Sequence, residues 1–386
     1  MALAFGAGCT QTHVVLEPTV DAGPPADGAG DVAAAPATAV SIANSHVCAI
    51  AGGALYCWGA NAEGRLGVGD TNARTSPVRV GTDGTWQSVA VGERSSLALK
   101  QDGTLWSFGA NEVGQLGLGD FAARQVPTRV GDRGDWTAIA TRFNHACGLA
   151  HDGTLWCWGA NSEGQLGQDD SPGSATNRPV PTQVTTDRDF AFVDAGDGHT
   201  CAVRTGGTLW CWGRNSEAEL GQGSSDPLQI RRPTQVGVAT DWQAVQSGQN
   251  FTCGLRAGGV LCWGAANTAI PGAAPGSIVG SPLAIAGLSG IVALSINTFG
   301  GCVIDGAGGG DCWGRNAEGQ LGLGDMDDRL TPTALPLSSW TRISAGRFAT
   351  CGVRLGAVWC TGDNSAGQLG QGDLVRRTTL TEVVLP

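Results

Sequence analysis

Cysteine is the residue type in this chain best placed to do covalent chemistry. Of thirteen, twelve fall in pairs nine or ten residues apart: Cys48 and Cys57, Cys147 and Cys157, Cys201 and Cys211, Cys253 and Cys262, Cys302 and Cys312, Cys351 and Cys360. Three chemistries compete for such pairs. Zinc knuckles place ligands two to four residues apart with further ligands close by, which this spacing does not offer. Buried free thiols would fit a core. A disulfide fits best, because one further copy of the pattern has lost both partners together, to Leu97 and Ser107. Joint loss is what a bonded pair predicts, since an orphan thiol in an oxidising compartment is a reactive liability.

The elements that would position these pairs are β-hairpins. With a separation of nine, as in Cys253 and Cys262, a two-residue turn at Ala257-Gly258 sets the cysteines opposite one another. With ten, as in Cys147 and Cys157, a three-residue His151-Asp152-Gly153 loop with a left-handed Gly does the same. Facing residues of a non-hydrogen-bonded pair lie within bridging reach. Each such bridge stabilises by roughly 2–3 kcal/mol, and six of them point to export.

Little else suggests chemistry. His46, His145 and His199 share one position, two residues before a cysteine, but no carboxylates share that register. The expectation is hydrogen-bonded structural histidine, not a metal site. Asp70, Asp120, Asp170, Asp325 and Asp373 lack the alternating acidic order of a calcium loop and read as turn caps. Asn61, Asn111, Asn161, Asn215, Asn316 and Asn364 are expected to tolerate positive φ beside turn-forming glycines. With no nucleophile elbow, zincin motif or phosphate loop, no catalytic, cofactor-binding or metal-binding residue is assigned.

The cysteine block is part of a longer repeat. "CGLAHDGTLWCWGANSEGQLGQDD" from Cys147 returns as "CAVRTGGTLWCWGRNSEAELGQG" from Cys201 and in five further copies. The residue before the motif glycine is Trp58, Phe108, Trp158, Trp212, Trp263, Trp313 or Thr361, spaced 50, 50, 54, 51, 50 and 48. Seven units of about 50 residues read as a propeller or solenoid. Each unit reads as short strands only, and both faces of "TLWCW" are apolar. Sheets covered on both sides suit blades packed around an axis, so an all-β seven-bladed β-propeller is expected over 39–386. "TTLTEVVLP" from Thr378 lacks the strand that follows elsewhere, whereas "AVSIANSHVC" from Ala39 supplies one. The N- and C-terminal strands are therefore expected to share a blade and close the ring, hiding its edges.

Two segments precede the propeller. "MALAFGAGC" ends in small residues before Cys9, so 1–16 resembles a signal segment with the lipobox of bacterial lipoproteins, and Cys9 is the lipidation candidate. It departs from that pattern in lacking a basic start. Residues 17–38 are rich in Pro, Ala, Gly and Asp and read as a tether. A net charge of −11 without clustered Lys or Arg argues against nucleic acid.

The signature "WGANSEGQLGQ" resembles the regulator of chromosome condensation repeat family, whose members are seven-bladed propellers, and the paired cysteines resemble its exported bacterial branch. Family members that exchange guanine nucleotides use an inserted wedge and basic segments. No repeat here exceeds the usual period by more than four residues. A secreted member that inhibits β-lactamases across one open face is the nearer analogue. The resemblance implies a monomeric, non-catalytic module, outer-membrane anchored or secreted, binding a protein or glycan partner. The alternative is a carbohydrate-binding or hydrolytic envelope protein using the propeller face. Repeat five replaces its turn with "AANTAIPGAAPGSIVG", which marks Asn267, Ile270 and Pro271 as partner-binding candidates.

Overall fold

The computed structural model describes residues 14–15, 35–168, 176–267 and 269–386. Cys9, Asp170 and nearly all of the expected tether lie outside them. From Ala37 onward the chain forms seven antiparallel sheets, each containing four successive strands that run from the innermost to the outermost position. Blade two is representative, with Trp86–Val91, Ser95–Lys100, Leu105–Gly109 and Arg124–Arg129. The sixth sheet gains a fifth strand, Val14–Val15, which pairs with the innermost strand Ile291–Ile296. The three inner strands of each blade are largely buried on both faces, as their apolar pattern requires. Outermost strands are half-exposed, and six of the seven carry a proline: Pro77, Pro127, Pro181, Pro233, Pro282 or Pro332. Proline cannot donate to a ladder, so only an edge position accepts it without loss.

All six expected disulfides join the second and third strands of their own blades. Cys201 faces Cys211 directly, with Cα atoms 4.1 Å apart. The turns take the expected forms: Ala257 and Gly258 have φ of 50° and 72°, and Gly153 has φ of 78°. In blade two Leu97 faces Ser107, whose hydroxyl donates to Leu116 O at 2.8 Å. Six bridges in one chain fit an oxidising, extracellular environment.

Ring closure differs from expectation in one respect. Ala37–Ile42 is the innermost strand of the first sheet and Arg377–Val383 the outermost of the seventh, so no blade is shared. The reason is phase: the first propeller strand, Ala37–Ile42, is innermost and Arg377–Val383 is outermost, so the strands between them divide into seven whole blades. The terminal blades instead close the ring face to face. Ile42 N–H donates to Ser344 Oγ at 3.0 Å, and the Tyr56 hydroxyl donates to Pro386 O at 3.0 Å.

The repeat signature is an inter-blade latch. Trp158, Trp212, Trp263 and Trp313 donate their indole N–H to Gln115 O, Glu219 O or the equivalent carbonyl in the preceding blade's turn, at 2.8–3.0 Å. Trp58 does the same to Gln368 O, across the ring junction. The turn slides close under the ring: a Cβ on Gly167, where φ is +71°, would lie 2.6 Å from Trp212 Nε1. None of the six motif asparagines takes positive φ, contrary to expectation. Their buried amides act as clamps, as where Asn61 Oδ1 accepts Leu66 N–H at 2.9 Å and Nδ2 donates to Asp70 O at 2.9 Å. Asp70 caps its turn by accepting Asn72 N–H at 2.8 Å, and Arg74 pairs with it at 2.6 Å, holding its carboxyl below the usual range. Asp120, Asp325 and Asp373 repeat the arrangement with Arg124, Arg329 and Arg377.

Candidate functional site

The three histidines do not converge; each reaches into the next blade. His46 Nε2 lies 3.0 Å from Ser96 Oγ, His145 Nε2 2.9 Å from Thr200 Oγ1, and His199 Nε2 2.9 Å from Thr252 Oγ1. Each hydroxyl already donates to a turn carbonyl, that of Arg65, Gln165 or Glu219. The hydroxyl must therefore accept from the imidazole, which fixes the Nε2–H tautomer. The opposite nitrogen, Nδ1, is buried without a partner in all three. Protonating it would bury an unpaired charge, so burial pushes His145 down to about 4 and holds His46 and His199 well below the ordinary value. These side chains are structural relays.

Side chains of the innermost strands form another ring of contacts around the central channel. Ser41 Oγ accepts Val91 N–H, Ser295 Oγ accepts Ala345 N–H, and Ser344 Oγ accepts Ile42 N–H, each from the next blade at 2.9–3.0 Å. Asp194 holds the equivalent position and accepts Ser247 N–H at 2.6 Å. Desolvation pushes its carboxyl up to about 7, against the pull of that bond and of Arg142.

Beyond this ring the channel opens into a cavity of about 380 Å³. Its rim is made by the turns between first and second strands: "ANS" at 43–45, "GER" at 92–94, "RFN" at 142–144, "GDG" at 196–198, "GQN" at 248–250, "NTF" at 297–299 and "GRF" at 346–348. These tripeptides differ from blade to blade apart from a leading Gly in four of them, and the residues that flank them vary as well, from Ile42 and His46 to Ala345 and Ala349. Arg142 braces the mouth, pairing with Asp197 at 2.9 Å and reaching the carbonyls of Ser247 and Ile296 at 3.4 Å. Phe143 beside it is 41% exposed. On the far side Arg347 lies 5.5 Å from the Phe299 ring and 5.1 Å from that of Phe348, and Arg315 lies 5.1 Å from Phe299. The mouth thus combines exposed aromatic surface with oriented guanidinium groups, a composition suited to recognition.

The residues marked for partner binding are placed differently from expectation. Asn267 is exposed, but Ile270 is only 2% exposed and Pro271 is buried. The altered turn still does what its counterparts do in the other blades. Ala269 O accepts the Trp313 indole N–H, and Ile270 enters the core with Ile285 and Trp263. An apolar Pro/Gly-rich segment fills that inter-blade slot instead of presenting itself to solvent. The turn tripeptides were a signal available in the sequence, as positions that vary within the 50-residue repeat.

Comparison with known proteins agrees with this architecture. The model of the RCC1-like domain matches residues 6–276, and that of the regulator of chromosome condensation (RCC1) repeat matches 312–353. The ultraviolet-B receptor UVR8 of Arabidopsis thaliana is 30% identical over 164 residues, 40% of this chain and 36% of the receptor. The E3 ubiquitin-protein ligase HERC2 of Homo sapiens is also 30% identical over 164 residues, 39% of this chain but 3% of the ligase. The matched stretch therefore spans little more than a third of the receptor and only 3% of the ligase. Human WBSCR16 superposes with a TM-score of 0.77 at 21% identity, covering 86% of this chain and 94% of that one. Yeast RCC1 (Prp20), solved bound to Kap60, superposes with a TM-score of 0.75 at 19% identity, covering 96% and 91%. The latch signature, the seven blades and the family match over most of the chain establish that this protein belongs to the RCC1-like domain family.

Proposed function

We propose that this protein is an exported, non-catalytic protein-binding module that grips its partner with the turn face around the channel mouth, and that a lipidated Cys9 holds it at the cell envelope. The observation that carries the reading is the division of labour within the repeat. Recurring residues are committed to latches, relays and bridges, whereas the seven turns at the mouth vary and bring Phe143, Arg142, Phe299, Arg347 and Phe348 to one rim. Propellers of this fold do bind proteins, as the solved complex of yeast RCC1 (Prp20) with Kap60 illustrates. Six disulfides support export. A hydrolytic role would need a free acid and base together. Asp194 and Asp197 line the cavity, but one is bound to Ser247 N–H and the other to Arg142, which favours structural roles.

Cross-linking in native envelope fractions tests the face. Phe143→Asp should abolish the cross-linked species, whereas Leu355→Asp, in an exposed hairpin turn at the opposite end of the blades, should retain it. The reverse result would move the binding surface to the hairpin face. Labelling with a radioactive fatty acid that is lost in Cys9→Ser would support the anchor, and unlabelled wild-type protein would remove it.

A further inference from the structure

The cavity at the channel mouth offers more hydrogen-bond donors than the protein itself satisfies. Arg347 Nε and Gln246 Nε2 both lie buried without a partner among the described residues, and both residues line this cavity. Gln246 is 5% exposed, so bulk solvent does not satisfy its amide. It occupies the strand position at which oxygens of Ser41, Asp194, Ser295 and Ser344 accept a backbone N–H from the next blade, where a donor such as its amide nitrogen finds no acceptor. Among the described residues no carboxylate pairs with Arg347; two phenylalanine rings hold its guanidinium instead.

The acids lining the cavity are already engaged. Asp194 accepts Ser247 N–H, Asp197 pairs with Arg142, Glu93 accepts from Asn44 at 2.7 Å, and Glu163 accepts from Gln229 at 2.6 Å. A buried donor without an acceptor is unfavourable, and a guanidinium that cannot lose its charge is best satisfied by an anionic oxygen. Guanidinium geometry suits a planar carboxylate in particular.

We infer that the channel-mouth cavity binds a carboxylate group, which accepts hydrogen bonds from Arg347 and Gln246 while Phe299 and Phe348 keep the guanidinium in place. The carboxylate is that of an acidic side chain on the partner, which rests on the binding role proposed above, or that of a free small acid; both present the same two oxygens.

Calorimetric titration of the full chain with two probes, sodium acetate and the capped tripeptide Gly-Glu-Gly, separates these sources; capped Gly-Gln-Gly is the neutral control. The glutamate peptide should bind and the glutamine peptide should not. Arg347→Gln should weaken binding about tenfold or more, the value of a charge-assisted hydrogen bond. Gln246→Leu should weaken it several-fold. Arg315→Gln removes a charge that also lies on Phe299 but does not line the cavity, and should leave affinity within about twofold. Near-wild-type circular dichroism of each variant excludes misfolding. Acetate binding without peptide binding supports the site with a free acid as its occupant. Binding of neither probe, or affinity unchanged in both Arg347→Gln and Gln246→Leu, would overturn the inference. The cross-linking result with Phe143→Asp is independent, so failure of the partner reading and failure of this site are told apart.

Discussion

The inter-blade latch can be dismantled one bond at a time at Gln165 O. This carbonyl belongs to a residue 3% exposed and accepts two donors: the Trp212 indole N–H at 2.9 Å and the Thr200 hydroxyl at 2.8 Å. Trp212→Phe removes one donor and leaves a void where the second indole ring sat. Blade two carries Phe108 at the same position, so the fold accepts the shape, and the expected loss is about 2 kcal/mol from the bond and the void together. Thr200→Val removes the other donor and also strands the His145 Nε2–H, which costs about 1–3 kcal/mol as a buried unsatisfied donor. Either single variant leaves Gln165 O with one partner. The double variant leaves it with none, so its loss should exceed the sum of the singles by about 1–2 kcal/mol. Urea unfolding at neutral pH, with disulfides intact, measures all three. Additivity within about 0.5 kcal/mol would show that the two donors do not share the carbonyl's stabilisation and would refute the latch as described.

Blade two also supplies a template for removing a bridge. Cys201→Leu with Cys211→Ser, copying Leu97 and Ser107, should lower stability by roughly 2–3 kcal/mol, and an unchanged urea midpoint would show that the bridge contributes nothing. Acid should destabilise the fold through the histidines. Their folded pKa values lie below the ordinary 6.5, so only the unfolded chain takes up protons as pH falls from 6.5, and stability drops until His145 titrates at about 4. Asp194 opposes this, because its raised folded pKa adds stability that is full below its unfolded value and lost as pH rises to about 7. Asp194→Asn should therefore stabilise the protein at pH 8 more than at pH 5; a pH-independent difference in unfolding free energy would contradict the assignment. Deleting 378–386 strips the outermost strand of blade seven and the Tyr56 to Pro386 bond, and should cause aggregation on heating. An unchanged melting profile would show that closure does not depend on that strand.

Period, strand content and bridge positions were legible because they rest on spacing that repeats. A hairpin turn of two or three residues dictates which cysteines face, and seven copies leave one consistent register. The phase of the blades was not legible. A periodic sequence can be cut at any point into equivalent units, so nothing in the repeat says whether a blade begins at the strand of Trp86 or at that of Arg124. The asparagines were ambiguous because their residue type suits both a left-handed turn and a buried amide clamp, and only the packed loop separates the two. Ile270 and Pro271 were misleading for a related reason. Departure from a pattern indicates relaxed or altered constraint, yet the inter-blade slot still demands apolar volume and a carbonyl for Trp313, and Ala269 and Ile270 provide both.

In the proposed function, recognition falls to the channel mouth because much of the rest of each blade is held by its neighbours. Blades four and five are pinned together at three depths: by the Asp194 contact beside the channel, by the His199 relay, and by the Trp263 latch farther out along the blade. The other interfaces carry one or two of these contacts. Each contact joins residues about 50 positions apart, so a substitution in one blade leaves a buried group unsatisfied in the next. Such positions are constrained by two blades at once. Blade five illustrates the force of this constraint, since its turn changed almost completely and still delivers an acceptor to Trp313. The tripeptides at the mouth bear less of it. Phe143 projects into solvent without loss to the core, whereas Arg142 one residue earlier reaches blades four, five and six. A scaffold with its repeat residues committed to neighbours can then change its ligand by changing turn residues, with the rigid ring holding them in place.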